Sequence, residues 1–374
     1  MPSDVTADND LPRFPRRVMA MIVFIHPFRM VESKSLEGWT ASIEQINRGQ
    51  WDYVKLHEIA GGIDVGLPSP YHMLVGRDGA LALPPLPQLR SDQQAVEFFN
   101  RCLAAFLLGG IYCTAVSLDN LEIGSIIDWK YIRAHGGQAQ ANHFHDLARL
   151  RMAPALDAIA LLDPPTLNFD TLRKAAEKGF ALLATIPQLS AEFLLKGVSG
   201  IARRDWGVAL SNLWISIEQM TEALWQRDVL RPVQCDENRI AGRSDQLKDT
   251  RTWTAANRHE LLHLKGILSD AALRHLYQAR KARNDLSHRG THPNEPAAQS
   301  AYAATLALFQ AIVGEGVELP LSNLDLADHS LTDPFRPRDH RVLDPQYWME
   351  IPKLPGETEL EREEAAERNS VAQK

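Results

Sequence analysis

Cysteine is scarce in this 374-residue chain: Cys102, Cys113 and Cys235 are an odd number, widely spaced, and no two form a CxxC pair. That excludes the metal knuckles and redox centres that paired cysteines seed, and it predicts reduced, mostly packed thiols in a cytoplasmic setting. Long apolar runs are missing too. The sequence VMAMIVFI (18–25) follows Arg16 and Arg17 as a signal-peptide core would, yet it continues into His26-Pro27-Phe28 without a small-residue cleavage site, and it predicts a buried strand. Nothing later approaches the roughly 18 uninterrupted apolar residues of a membrane span, so a soluble, cytoplasmic protein without a membrane partner is expected. Strong positive charge is also lacking. A net charge of −7 argues against an indiscriminate nucleic-acid binder, but residues 196–312 hold 16 Lys and Arg against 12 Asp and Glu, a local net of +4. That part permits contact with a phosphate backbone.

The length suggests two domains and tails, and the fold class expected is α+β. From Val18 to about Asp128, short β-like runs (VMAMIVFI, YVKLHEI, HMLV, LALP, IYCTAVSL, IGSIIDW) alternate with turn signals such as Gly76-Arg77-Asp78-Gly79. One helix interrupts them, capped by Ser91 or Asp92 and stopped by Gly109-Gly110. Residues 1–165 therefore read as a mixed α/β domain, a candidate sensor or regulator. Beyond about Pro165 the period becomes helical in six segments, the last ending near Val313, which predicts an all-α bundle over 166–315. Residues 316–374 read as Pro-rich loops and an acidic tail.

Two incompatible chemistries stand within residues 258–290. His259 and His263 in HELLH are four apart, so on a helix both reach one side, where they could hold Zn²⁺ with Glu260 polarising a bound water. A catalytic zinc needs a third protein ligand. The position where one protease class supplies it is Ser269, and no Glu occurs between Leu261 and Asn294. The second chemistry lies in RNDLSH. A helix capped by Ser269 or Asp270 runs Leu273, Leu276/Tyr277, Arg280, Arg283/Asn284, Ser287 along its expected inner stripe, which turns polar partway without changing face. Such a stripe predicts a cleft or a subunit interface. Arg283 and His288 are five apart and point about 140° from each other on a straight helix. Either the helix loosens before Gly290, or the site pairs side chains from two copies across a two-fold axis.

The arginine, the polar residue after it and the histidine of RNDLSH resemble the RxxxxH motif of the HEPN superfamily, the nucleotide-binding domains of higher eukaryotes and prokaryotes. LYQARKARNDLSHRG resembles its active-site helix, and LWISIEQMTEALW resembles the earlier helix that often carries a Trp and a Glu. The resemblance covers roughly residues 188–313; residues 1–165 resemble no family we know. It implies a homodimeric, metal-independent endoribonuclease that needs no cofactor and leaves 2′,3′-cyclic phosphate and 5′-hydroxyl ends. Arg283 would neutralise the scissile phosphate. His288 would handle the proton of the 2′-hydroxyl or of the leaving oxygen. Asn284 would orient these groups, and Glu218 would reach over to fix the Arg283 guanidinium. By analogy such an enzyme belongs to bacterial defence or toxin systems, with a regulatory ligand or protein acting through the N-terminal half. The same resemblance allows a non-catalytic nucleotide- or RNA-binding or sensing module, and the zinc metalloprotease built on HELLH is a second alternative.

Other patterns predict less. Asn142-His143-Phe144-His145-Asp146 reads as surface or packing, Gly61-Gly62-Ile63-Asp64-Val65-Gly66 as a turn, and Phe335-Arg336-Pro337-Arg338-Asp339-His340-Arg341 as a solvated basic loop. Trp206, Trp214 and Trp225 share one helical segment and read as core or dimer interface.

Overall fold

The computed structural model describes residues 17–27, 29–34, 36, 53–87, 89–134, 166–236, 240–314, 362–366 and 368. The fold is α+β, a curled antiparallel sheet followed by packed helices. Residues 1–331 form one compact unit and 332–374 a second. In the second unit, residues 362–366 are an exposed helical segment, and Arg368 pairs with Glu364 at 2.9 Å. The basic loop at 335–341 and the Asn142–Asp146 segment lie outside the described residues.

Six strands build the sheet: β1 (Arg17–Phe24), β3 (Ile59–Ile63), β4 (Met73–Gly76), β5 (Ala80–Leu83), β6 (Glu122–Ile127) and β7 (Tyr131–Ala134), in the order β3-β4-β5-β1-β6-β7. The outer strands curl until they meet. The Ile59 N–H donates to the Lys130 carbonyl at 2.8 Å, and the Ile132 N–H donates to the His57 carbonyl at 2.9 Å, around a single bridge between Glu58 and Tyr131. Alternation along β1 then does two jobs. Val23 and Ile25 face the large core, while Ala20, Ile22 and Phe24 join Ala80, Ala82, Ile126 and Ile132 in a small cluster of their own. The expected strand over YVKLHEI splits: Tyr53–Leu56 form a helical turn, α1, and β3 starts only at Ile59. Of the expected Gly61–Gly66 turn, the first half is β3, and the chain turns where the Gly66 N–H donates to Asp64 Oδ1 at 2.9 Å.

Helix α2 (Asp92–Leu108) begins where Ser91 accepts from the Gln94 N–H and ends at Gly109, as its capping residues predict. The next apolar run, IYCTAVSL, is buried over Ile111–Thr114 but joins no strand. Side chains take over the work of a neighbouring strand. Buried Asn100 accepts from the Val116 N–H at 2.8 Å and donates to the Val116 carbonyl at 2.9 Å, and Ser199 accepts from the Ala115 N–H at 3.0 Å. Backbone groups in such a place must be paired, and an amide side chain offers one donor and one acceptor in the spacing of a peptide.

A short parallel pair, β2 (Met30–Glu32) with β8 (Thr166–Asn168), leads directly into α3 (Phe169–Ala184). Helix α3 lies against α2 so closely that a Cβ on Gly179 would stand 1.8 Å from the Ala105 carbonyl oxygen, a contact that only glycine permits. Then follow α4 (Ala191–Ala202), α5 (Trp206–Trp225), which continues through a π turn at Gln226–Leu230 into α6 (Arg231–Gln234), α7 (Arg243–Lys248), α8 (Ala255–Leu264), α9 (Asp270–Arg289) and α10 (Glu295–Val313). Helix α5 is the hub, packed on α4, α8, α9 and α10, with Leu210, Leu213, Ile217, Met220 and Leu224 fully buried. One apolar cluster runs from Val23 and Leu81 through α2 and α5 to Phe309, across the change from strands to helices. Among the described residues no helix is long and apolar enough to cross a membrane.

Candidate functional site

Helix α9 starts where Ser269 accepts from the Ala272 N–H and stops at Gly290, whose φ of +65° is the left-handed conformation that suits glycine after a helix. Its buried side is Ala272, Leu276 and Ala279, continued by half-buried Arg283 and Leu286. This corrects the expected inner stripe: Tyr277, Asn284 and Ser287 are exposed, and of the four polar residues placed inward Arg280 and Arg283 are half-buried. The larger Leu273 and Tyr277 dominate the hydrophobic pattern, but packing selects the alanines. Helix α9 packs on α10, whose buried positions include Ala298, Ala301 and Ala304 beside Leu308 and Phe309, and small side chains let two helices approach closely.

The Arg283 guanidinium lies over the Trp214 indole of α5, 5.9 Å from the ring centroid, and donates to Asn284 Oδ1 at 3.2 Å. Trp214 is itself fixed. Its Nε1–H donates to Glu218 Oε1 at 2.7 Å, and its ring meets His259 of α8 edge-on. The expected Glu218–Arg283 clamp therefore does not form; Glu218 holds the indole, and the indole holds the arginine. The i, i+4 spacing of Trp214 and Glu218 was the sequence signal for that bond. The ion pairs on α9 are Asp285 with Arg289 at 3.1 Å and Asp270 with His263 at 3.5 Å, and among the described residues Arg274, Arg280, Lys281 and Arg283 have no carboxylate partner. His288 is exposed, and because α9 stays helical through Arg289, it and Arg283 project to different sides. The helix end therefore does not loosen before Gly290.

The HELLH residues hold the helices together. His259 is buried, with Nε2 2.9 Å from the Thr221 hydroxyl, and His263 Nδ1 lies 2.9 Å from the Leu268 carbonyl oxygen. Burial pushes the His259 pKa down to about 4, helped by the positive charges of Arg280 and Arg258, so its ring is neutral at pH 7. Arg258 in turn pairs with Glu222 and lies over Trp225. Glu260 is exposed. Among the described residues no group of three His, Cys, Asp or Glu side chains is arranged to hold a metal ion. Trp214 and Trp225 are core residues, and Trp206 is half-buried.

Two features escaped sequence reading. The Arg77-Asp78 hairpin turn is buried: its N–H groups donate to the Glu58 and Leu56 carbonyls, and Asp78 Oδ2 lies 3.3 Å from His57 Nδ1. Nearby Glu122 is buried with neither carboxylate oxygen hydrogen-bonded, and burial, then the Asp78 charge, raises its pKa to about 7. A cleft of about 900 Å³ is lined by Glu97, Arg101, Glu177, Phe180 and Glu192 on α2, α3 and α4; no residue of α9 lines it. Cys102 and Cys113 are buried, which pushes both thiols up to about 12 and makes them unreactive packing residues.

No family model, curated protein or solved structure matches this chain.

Proposed function

We propose that the chain is a cytoplasmic, metal-independent endoribonuclease of the HEPN type, whose helices from α3 to α10 serve as the HEPN-like bundle and whose active site is completed by a second copy. The observation that carries this reading is Arg283: a guanidinium on the indole face of Trp214, steadied by Asn284, with no carboxylate partner among the described residues. Such a group is preorganised for a phosphate, and the charge that builds up in phosphodiester cleavage is where it acts most strongly. His288, on the solvent side of the same helix, is placed to exchange protons with RNA held between two copies. In this reading Glu218 acts through Trp214, as a positioning residue. The strand-rich N-terminal half is the place for control, in the manner of a defence or toxin nuclease.

The separation of Arg283 from His288 within one chain supports a second reading, a module that binds RNA or nucleotides without cutting. Incubation of the full-length protein with RNA in excess EDTA distinguishes the two. Cleavage is expected to survive chelation and Glu260→Ala, and to fall by about 100-fold or more in Arg283→Ala and in His288→Ala. Loss of activity on chelation, or stoichiometric bound zinc, overturns the ribonuclease. Binding of RNA without cleavage at any concentration establishes the module instead.

A further inference from the structure

The interior of the curled sheet holds a carboxyl group that apolar surroundings would ordinarily exclude. Glu122 opens β6 opposite Ile22 of β1, and residues directly opposite across two strands point to the same side, so Glu122 faces the small cluster around Ile22, Phe24 and Ile132. It is 5% exposed, and among the described residues neither of its carboxyl oxygens has a hydrogen-bond partner. Buried polar groups are nearly always paired, and an exception calls for a reason. The charge set against it is that of Asp78, on the buried turn between β4 and β5. A Cβ on Gly76 would meet both Asp78 Oδ1 and Ile132 Cδ1, which places Asp78 at the same cluster. Asp78 has bonds where Glu122 has none: Oδ1 accepts from the Ala80 N–H at 3.1 Å, and Oδ2 lies 3.3 Å from His57 Nδ1. Of the other charged groups on the bordering elements, Arg17 donates to Ser125 at 2.9 Å, Arg29 donates to the Tyr112 carbonyl at 3.0 Å, and Arg77 pairs with Glu58 at 3.7 Å. Asp119, Asp128, Lys130 and Arg133 are exposed.

We propose that Glu122 is a proton-operated latch: protonated, it lets the curl close over a dry interior; ionised, it faces the Asp78 carboxylate without a counter-charge, and the curl opens at the seam between β3 and β7 to admit water. The seam is the weakest closure of the interior. Strand β1 is laddered to β5 from Met21 to Phe24 and to β6 from Arg17 to Ile22, whereas β3 meets β7 only around the bridge of Glu58 with Tyr131. Opening can also stay local. Among the described residues β6 and β7 give Ile126 and Ile132 to the small cluster and no side chain to the large core, and a unit with few apolar contacts of its own opens before the rest. The sign follows from which form holds the proton. Burial and then the Asp78 charge raise the pKa from 4.5 to about 7 in the closed form, so closure is strongest at the acid end of that window, weakens as pH rises through it and levels off above it. The latch does not depend on the ribonuclease reading; it gives the N-terminal half a signal of its own to answer.

The test is hydrogen exchange of the full-length protein by mass spectrometry, at about pH 5 and about pH 7.5, corrected for the intrinsic pH dependence of exchange. Protection of peptides covering 57–63 and 122–134, which hold the seam amides of Ile59 and Ile132, is expected to fall by about 10- to 100-fold between the two, while peptides of α5 keep theirs. In Glu122→Gln the seam should be equally protected at both. In Asp78→Asn, whose side-chain oxygen can still accept from the Ala80 N–H, the fall should shrink, and His57→Gln should leave it in place. Infrared difference spectra give a readout independent of exchange: a protonated-carboxyl band near pH 6 that is lost by about pH 8 and is missing from Glu122→Gln. The latch is wrong if wild type and Glu122→Gln lose protection alike, if His57→Gln abolishes the fall, or if α5 loses protection to the same extent, which is unfolding of the whole chain. Should Glu122→Gln not fold, the wild-type chain decides by itself: seam protection that is constant between the two pH values, or no carboxyl band near pH 6, overturns the proposal.

Discussion

His259 makes the stability of this protein depend on pH in a way that can be worked out in advance. In the unfolded chain its imidazole titrates near 6.5; in the folded chain burial and the charges of Arg280 and Arg258 bring it down to about 4. Between those values the unfolded state binds a proton that the folded state refuses, so stability falls as pH falls through that window and is fully present above it. Over the whole window the loss is about 3 kcal/mol, and between pH 7.5 and pH 5.0 it is about 2 kcal/mol. The perturbation is His259→Gln, which keeps a polar group in reach of Thr221 and cannot titrate. Urea denaturation followed by tryptophan fluorescence, with Trp214 in contact with His259, gives the unfolding free energy at both pH values. Other groups titrate over the same range, so the quantity that counts is the difference in pH dependence between wild type and variant. Wild type should lose about 2 kcal/mol more than His259→Gln on acidification. Arg280→Met should reduce that excess by removing one of the two charges. An identical pH dependence in wild type and His259→Gln would refute the buried, neutral imidazole, and with it the assignment of HELLH as a brace between α8 and α5.

Two further expectations concern parts of the fold that position the site. Glu122 behaves oppositely to His259: its folded pKa of about 7 lies above the ordinary 4.5, so the folded state holds the extra proton and stability declines as pH rises through that range. Glu122→Gln should therefore be more stable than wild type by about 1–3 kcal/mol at pH 8 and close to it at pH 5, and superimposable pH profiles would show that the carboxyl is solvated. Gly179→Ala should cost about 3 kcal/mol or more, because its methyl group falls on the Ala105 carbonyl and α2 must move off α3; a melting temperature within a degree or two of wild type would contradict that packing.

Local signals announced most helices. The expected caps Ser91 and Ser269 accept their backbone bonds, Asp205, Thr254 and Asn294 do the same for α5, α8 and α10, and Gly290 ends α9. Chain-local chemistry sets these, and a sequence displays it directly. Strand signals were less reliable, because whether an apolar run becomes a strand depends on a partner elsewhere: IYCTAVSL is served by Asn100 and Ser199, and YVKLHEI divides between a helical turn and β3. Burial is likewise a property of the neighbour. Hydrophobic weight pointed to Leu273 and Tyr277, but Ala272, Leu276 and Ala279 are the buried residues of α9 and Tyr277 faces solvent.

For the site, the sequence by itself determined which residues share a helix and the five-residue offset of Arg283 and His288; that the two diverge was decided when α9 proved helical through Arg289. What Arg283 touches was decided by tertiary structure alone. Trp214 is 69 positions away in the chain, and only the packing of α9 on α5 brings its indole under the guanidinium and turns Glu218 from a partner of the arginine into a support of the ring. Periodicity acts within a helix, whereas contacts between helices follow from side-chain volume at their crossing.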